Sequence, residues 1–487
     1  AVLGVVLADF WWIQAIGLSA TVLAAASMNL AVGCIGLFLS GWMREGVEVG
    51  PVQTRAVEQA ADPENGGASE EVYRPGDRFL AIFAIGLSGF VAMLYQVAWT
   101  RVLSLALGSS THAFSIMLIT FIAGIAVGAW VVTRARFARR PFRAFGFAEL
   151  ALAATLGVSM FFYAYLPYWF VRLAGLLSRT EAAYPVYVLC QALICFGVMF
   201  IPTLCLGMTL PLVSRVAASA VSEAGSAVGR VFAVNTLGTV LGTCLTGFLF
   251  LPKLGLARTF ALGVGLNAWI GLAVLTRTNG LRIRISTVPM LVAVAGMVWA
   301  AGPLFDRTWQ GALTLGMWRP GITPPSRSEF LEVARTANIR FYRDGAGATV
   351  SVHGDRVDGT NLFLKVNGKT DASTFTDMMT QVLSAQVPLA LHPDAQDVLV
   401  VGLGSGVTAG SVLARSSVRS LDVVEISPEV IEGAKMFSNY NRDVFHDKRL
   451  RMIIDDAKSF LLSTDKRYDV IISEPSNPWM AGVANVF

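Results

Sequence analysis

Residues 397–406 read DVLVVGLGSG, an uninterrupted apolar run that breaks into a turn with glycine at every second position. A run of that length and branching suits a strand buried on both faces. Its continuation repeats the rhythm. VTAGSVLARS (407–416) has helix composition, and LDVVEI (421–426) is a second strand pattern ending in an acid. PEVIEGAKMFSNY (428–440) reads as a helix opened by Pro428 and Glu429. LRMIIDDAKSFL (450–461) is a strand running into a helix start, and YDVIISEP (468–475) is a fourth strand. Strands alternating with helices predict a parallel sheet covered by helices, a Rossmann-like α/β domain.

In such sheets ligands bind at the carboxyl ends of the strands. Gly402, Gly404 and Gly406 let the backbone bend there and approach a ligand closely. Glu425 follows Gly406 by 19 residues and ends the next strand, where an acid can grip ribose hydroxyls. Asp455 and Asp456 end the third strand, beside the expected adenine edge. A dinucleotide fingerprint would need a small residue where Val407 stands. The glycine turn with Glu425 and Asp456 therefore points to a nucleoside, and a sulfonium nucleoside suits it better than a dinucleotide.

Upstream, ATVSVHG (348–354) and NLFLKVNG (361–368) alternate at period two and predict a small β-unit. Residues 374–391 predict a helix leading into the α/β domain. Before Asp306 the character changes. The 487-residue chain is 54% hydrophobic and only 15% charged, against about a quarter charged in soluble domains. Runs long enough to cross a bilayer fall at 15–41, 79–99, 112–133, 146–168, 186–213, 230–251, 259–276 and 287–305. The net charge of +5 does not indicate nucleic acid, because the basic residues flank these runs. GIAVG (124–128) predicts close helix packing, and Pro202 and Pro211 predict a kink. Glu149 is an intramembrane carboxylate, a functional candidate by default, although its place near a helix end also suits an interfacial group. All five cysteines sit in apolar stretches, and no metal is expected.

An internal repeat links 1–42 to 239–280 at an offset of 238: Val2-Leu3-Gly4 with Val240-Leu241-Gly242, Gly17-Leu18 with Gly255-Leu256, Thr21 with Thr259, and Asn29 with Asn267. The expected organisation is 1–42 as the tail of a first membrane repeat, 43–78 as a polar linker, and 79–305 as a helical membrane bundle. Residues 306–395 are then a junction with a small β-subdomain, and 396–487 a partial nucleoside-binding domain. Both chain ends are expected to be cuts, with the C-terminal sheet truncated.

VNGKTDAST, PLALHP, VLVVGLGSG, VVEIS, IIDDAKSFL and YDVIISEPSNP together resemble the spermidine synthase (polyamine aminopropyltransferase) family. SGFVAMLYQVAWTRVLSLALGSSTHAFS (88–115) and FAVNTLGTVLG (232–242) resemble its membrane-fused branch. The resemblance implies a methyltransferase-type sheet with a small N-terminal β-domain, decarboxylated S-adenosylmethionine as co-substrate, and a small amine acceptor. It assigns Gly402, Gly404 and Gly406 to the nucleoside loop, Glu425 to the ribose, Asp456 to the adenine, and Glu474 to the catalytic acid position. Three amine-handling positions depart from the family: an aspartate becomes Ser405, the motif's second aspartate becomes Asn477, and an aromatic-led pair becomes Thr380-Gln381. Asp371 and Asp377 are candidates to compensate. Trp479 falls in the family's covering loop.

The alternatives are an S-adenosylmethionine-dependent methyltransferase on a hydrophobic substrate, and a polyamine transporter or sensor. The expected partners are the lipid bilayer and the amine. Nucleic acid is not expected, and a homo-oligomer is left open. The expected location is an inner membrane of bacterial type. The arginine-rich loops argue for a soluble domain outside the cytoplasm, but the cytosolic donor weighs slightly more and favours the cytoplasmic side.

Overall fold

A computed structural model describes residues 2–46, 73–109, 111–134, 139–177, 180, 183–218, 224–278, 287–318, 326–355 and 359–474. The N-terminal part is helical: α1 (Val2–Leu7), α2 (Ile13–Gly46), α3 (Pro75–Leu107), α4 (Thr111–Arg134), α5 (Pro141–Tyr163), α6 (Leu166–Leu176), α7 (Tyr184–Ala217), α8 (Ala224–Leu245), α9 (Leu251–Leu254), α10 (Leu256–Thr278) and α11 (Thr287–Leu313). Seven described helical stretches are long and apolar enough to cross a membrane: Ser19–Leu39, Pro75–Leu107, Ala113–Arg134, Pro141–Tyr163, Tyr184–Ala217, Gly225–Leu254 and Leu256–Thr278. The run at 287–305 is not among them. Its helix continues through Asp306, which pairs with Arg258 at 3.3 Å, to Leu313. The run at 146–168 divides into α5 and the short α6, whereas α7 is one continuous helix through Pro202 and Pro211.

Small residues set how closely the helices approach. A Cβ on Gly124 or Gly128 would collide with Thr203 and with the Leu204 carbonyl of α7, and one on Gly207 would collide with Ile125 of α4. The GIAVG segment thus packs backbone against backbone. Around it Tyr95, Trp99, Tyr163, Phe260 and Trp309 form a buried aromatic cluster, within which the Trp99 indole N–H donates to the Tyr163 hydroxyl at 2.7 Å.

The 238-residue offset recurs in local geometry. A π-helical turn at Ala8–Trp12 has its counterpart at Thr246–Phe250. Gly17 (φ 79°, ψ 168°) corresponds to Gly255 (φ 78°, ψ 173°), a conformation open essentially only to glycine. Thr21 Oγ1 donates to the Gly17 carbonyl at 2.8 Å, and Thr259 Oγ1 to that of Gly255 at 2.7 Å.

After α12 (Arg327–Arg335), opened by a Ser326/Glu329 capping box, four strands form an antiparallel sheet in sequential order: β1 (Ile339–Asp344), β2 (Thr349–Gly354), β3 (Leu362–Val366) and β4 (Lys369–Ser373). The small β-unit is therefore a four-stranded sheet. Asn367 and Gly368, both with positive φ, make the two-residue turn that returns β3 into β4. Helix α13 (Met378–Leu391) leads to β5 (Asp397–Val401), α14 (Val407–Leu413), β6 (Ser420–Glu425), α15 (Pro428–Ala434), β7 (Leu450–Ile454), α16 (Ala457–Ser463) and β8 (Val470–Ser473). These four strands are parallel in the order β7-β6-β5-β8. In the middle of the sheet, Val398, Leu399, Val400, Val423 and Val424 are buried, as the apolar runs predict.

The β-unit docks on one end of the bundle. Arg101 of α3, buried there, donates to the Gly345 and Ala346 carbonyls (2.9 Å each) and to Thr349 Oγ1 (3.2 Å). Asp344 accepts from the Leu256 backbone N–H at 3.0 Å, at the N-terminus of α10, where a carboxylate is favoured. Asn367 donates to Ser109 Oγ at 3.0 Å, and Lys365 to the Thr314 carbonyl at 3.1 Å.

Candidate active site

The carboxyl ends of β5, β6, β7 and β8 open onto a cleft of about 550 Å³, closed on its other side by β4 and α13. Gly402, Gly404, Glu425, Asp455, Asp456, Asp371, Asp377, Gln381 and Glu474 all line it. Residues separated by more than a hundred positions in the chain thus meet around one space.

The glycine turn owes its shape to three positive-φ positions: Gly402 at 81°, Gly404 at 56° and Gly406 at 82°. Gly406 caps α14 rather than facing the cleft. Glu425 holds the turn. One carboxylate oxygen accepts from the Leu403 N–H and the other from the Ser427 N–H, both at 2.9 Å. Burial pushes its carboxyl above the usual range, while these backbone donors pull the other way. With Ile426, three backbone N–H groups face a carboxylate that has about four lone-pair sites. Ser405 is buried under the turn, where its hydroxyl donates to the Gln381 amide oxygen. Gln381 Nε2 donates to the Ser373 carbonyl at 2.8 Å. These two side chains therefore fasten α13 and β4 to the glycine turn.

Asp456 caps α16 by accepting from the Ser459 N–H at 2.8 Å, and these bonds hold its carboxyl below the usual range. Asp455 is exposed and accepts from the Asp456 N–H at 2.8 Å. Asp371 lies in β4 and pairs with Lys369 at 2.5 Å. It is a strand residue on the cleft wall. Glu474, just past β8, is exposed to the cleft. Asn477 and Trp479 lie outside the described residues. Among the described residues no group of three His, Cys, Asp or Glu side chains could hold a metal.

Sequence reading missed Asn441. It is fully buried and donates through Nδ2 to the Ser405 and Ala434 carbonyls, both at 3.0 Å. It supports the glycine turn from behind, and nothing in the run SNYNRD marks it out. Lys369 was legible only as the neighbour of Asp371.

Residues 378–487 match the family model described as the spermine/spermidine synthase domain. Among curated proteins, the chain is 24% identical over 423 residues to polyamine aminopropyltransferase 1 of Streptomyces coelicolor, covering 85% of this chain and 72% of that protein. It is 34% identical over 111 residues to polyamine aminopropyltransferase 1 of Pseudomonas aeruginosa, covering 23% of this chain and 37% of that one. The chain thus spans most of the first relative and little more than a third of the second. A solved spermidine synthase in complex with the transition-state analogue AdoDATO aligns with a TM-score of 0.28 at 24% identity, over 29% of this chain and 48% of that one. The match to the synthase family model covers β5 to β8 and the cleft residues from Gln381 onward, whereas Ala348, Leu364, Val366, the β4 residues and Asp377 precede it.

Proposed function

We propose that the protein is a membrane-tethered transferase that moves an aminopropyl group from decarboxylated S-adenosylmethionine to an amine. The observation that carries this is the convergence of Glu425, the glycine turn, Asp455, Asp456 and Glu474 on one cleft. Glu425 and the Gly402–Gly404 turn hold the nucleoside by its ribose, and Asp455 and Asp456 flank the adenine edge. The sulfonium carbon is already electrophilic, so the protein has two tasks: to free the amine lone pair and to align it with the C–S bond. Glu474 takes the proton from the acceptor ammonium. The amine then forms a C–N bond as the C–S bond breaks, and methylthioadenosine leaves with the electron pair. Asp371 and Asp377 supply negative charge for the amine. The helices at 79–305 hold the domain in the bilayer, and a cytosolic donor places it on the cytoplasmic side.

The test is release of methylthioadenosine from labelled decarboxylated S-adenosylmethionine across a panel of amines, using the full chain. Glu474→Gln is expected to lower turnover by about 10²–10⁴-fold with nucleoside affinity unchanged. Absence of release across the panel overturns the reading.

One observation favours a second reading, methyl transfer from S-adenosylmethionine to a hydrophobic amine. Ser405 and Gln381 are closed on each other, and Asp371 is already paired with Lys369. That leaves less free carboxylate for a diamine. Calorimetry with the two nucleosides separates the readings: preference for the carboxylated one supports methyl transfer.

A further inference from the structure

Glu149 lies far from the cleft, inside α5, and is completely buried. The interfacial position that its sequence context allowed is not the one it takes. It is eight residues into the helix, about 12 Å along the axis, and neither of its carboxylate oxygens has a hydrogen-bond partner among the described residues. Ser88 Oγ on α3 and Asn267 Oδ1 on α10 are among the other buried oxygens that share this condition. Ser88 lies within interaction reach of the Glu149 carboxyl. Asn267 is the central residue of α10, and its Nδ2 donates to the Tyr95 hydroxyl at 2.9 Å, which leaves its oxygen as the free end of the amide. Tyr95 in turn lies within electrostatic reach of Glu149.

These unpartnered oxygens lie on three helices, of which α10 packs on both α3 and α5, and among the described residues no cationic side chain is bonded to the carboxylate. Leaving a buried polar group unpaired is costly, and an isolated carboxylate costs far more. Four such atoms on three neighbouring helices are more than an apolar bundle needs for its packing. All are acceptors or hydroxyls, so the missing partner is a donor or a cation. One carboxylate balances one positive charge, whereas a divalent ion would leave a net charge buried. Intramembrane carboxylates with polar neighbours on facing helices mark ion and proton paths.

We propose that Glu149, Ser88 and Asn267 form a mid-membrane binding site for a small monovalent cation. It is separate from the nucleoside cleft and does not depend on the transfer reaction. A proton and an alkali ion share this chemistry, and the test distinguishes them. Dicyclohexylcarbodiimide adds across its C=N bond to a carboxyl in apolar surroundings and stays on the protein as an N-acylurea, with no leaving group. The full chain in detergent is treated at several pH values, in sodium, potassium or choline chloride, and the labelled peptide is mapped by mass. Labelling is expected at Glu149 and is expected to fall at least tenfold in Glu149→Gln. Suppression by sodium or potassium but not by choline identifies an alkali ion. Suppression by alkaline pH alone identifies a proton. Asn267→Leu and Ser88→Ala are expected to weaken that protection several-fold, and Glu149→Gln is expected to leave nucleoside binding unchanged. Absence of label at Glu149 overturns the proposal, as does label indifferent to both pH and salt. Protection identical in Asn267→Leu and in the parent chain also overturns it.

Discussion

Glu425 does two jobs with one carboxylate, which makes its substitutions informative. Glu425→Ala removes both carboxylate acceptors that tie the Leu403 and Ser427 N–H groups, together with any grip on a ribose. A hydrogen bond to a charged group is worth roughly 1.5–3 kcal/mol, so nucleoside affinity should fall about 10–100-fold in a calorimetric titration. Glu425→Gln turns one acceptor into a donor facing a donor and should recover only part of the loss. His353 gives a test by pH. It is buried in β2 against Ser351, and burial lowers its pKa to about 3 from 6.5. The folded domain prefers the neutral ring, so this stability is fully present above pH 6.5 and is lost as pH falls toward 3, by up to about 1.4 kcal/mol per pH unit. His353→Gln should flatten that limb in denaturation curves taken between pH 6.5 and 4. An unchanged slope would show that the carboxylates dominate it.

At the scale of elements, the seam between bundle and β-unit is the least legible part of the molecule. The strands β5 to β8 could be read because each is an apolar run closed by a glycine or an acid. Glu425 could be read because its spacing from the glycine turn repeats a known requirement of ribose binding. Arg101 could not. In sequence it is one more cation in an apolar segment, and only folding brings it to the carbonyls of Gly345 and Ala346, 244 and 245 residues away. Asn441 was invisible for the same reason, since its partners are backbone groups set by tertiary packing, and so was the tie from Asp344 to the Leu256 N–H. The seam also reaches toward the cleft: a Cβ on Gly345 would strike the Glu429 carboxyl, and Glu429 accepts from the Ser427 hydroxyl at 2.8 Å. Arg101→Ala leaves three acceptors without their donor, two of them on buried residues, a loss on the order of 3 kcal/mol. The expected result is separate thermal unfolding of the two halves in detergent, where the parent chain unfolds in one transition. Arg101→Lys can reach only some of the acceptors and should fall between them.

The whole molecule poses a conflict that the sequence could state but not sharpen. Read from sequence, a single misplaced span would have inverted everything after it. The described helices remove that freedom, because the soluble domain is bonded to the end of the bundle where α3 finishes and α10 begins. Arg134, Arg139, Arg140, Arg143, Arg215 and Arg277 lie at the other end, with Arg277 bonded to Asp77 at 2.6 Å. The domain and the arginine-rich loops are therefore on opposite faces. Loop arginines normally stay in the cytoplasm, which would put the domain outside. A transferase fed by a cytosolic nucleoside needs the reverse. The charge bias is statistical and acts during insertion, whereas a domain without its donor does no chemistry at all, so the cytoplasmic placement is the prediction. A fluorescent reporter that folds only in the cytoplasm, fused after Leu313, should be bright, and one fused after Arg134 should be dark. The opposite pair of results would remove decarboxylated S-adenosylmethionine as donor. It would leave the cleft intact and direct the search to a nucleoside present outside the cell membrane.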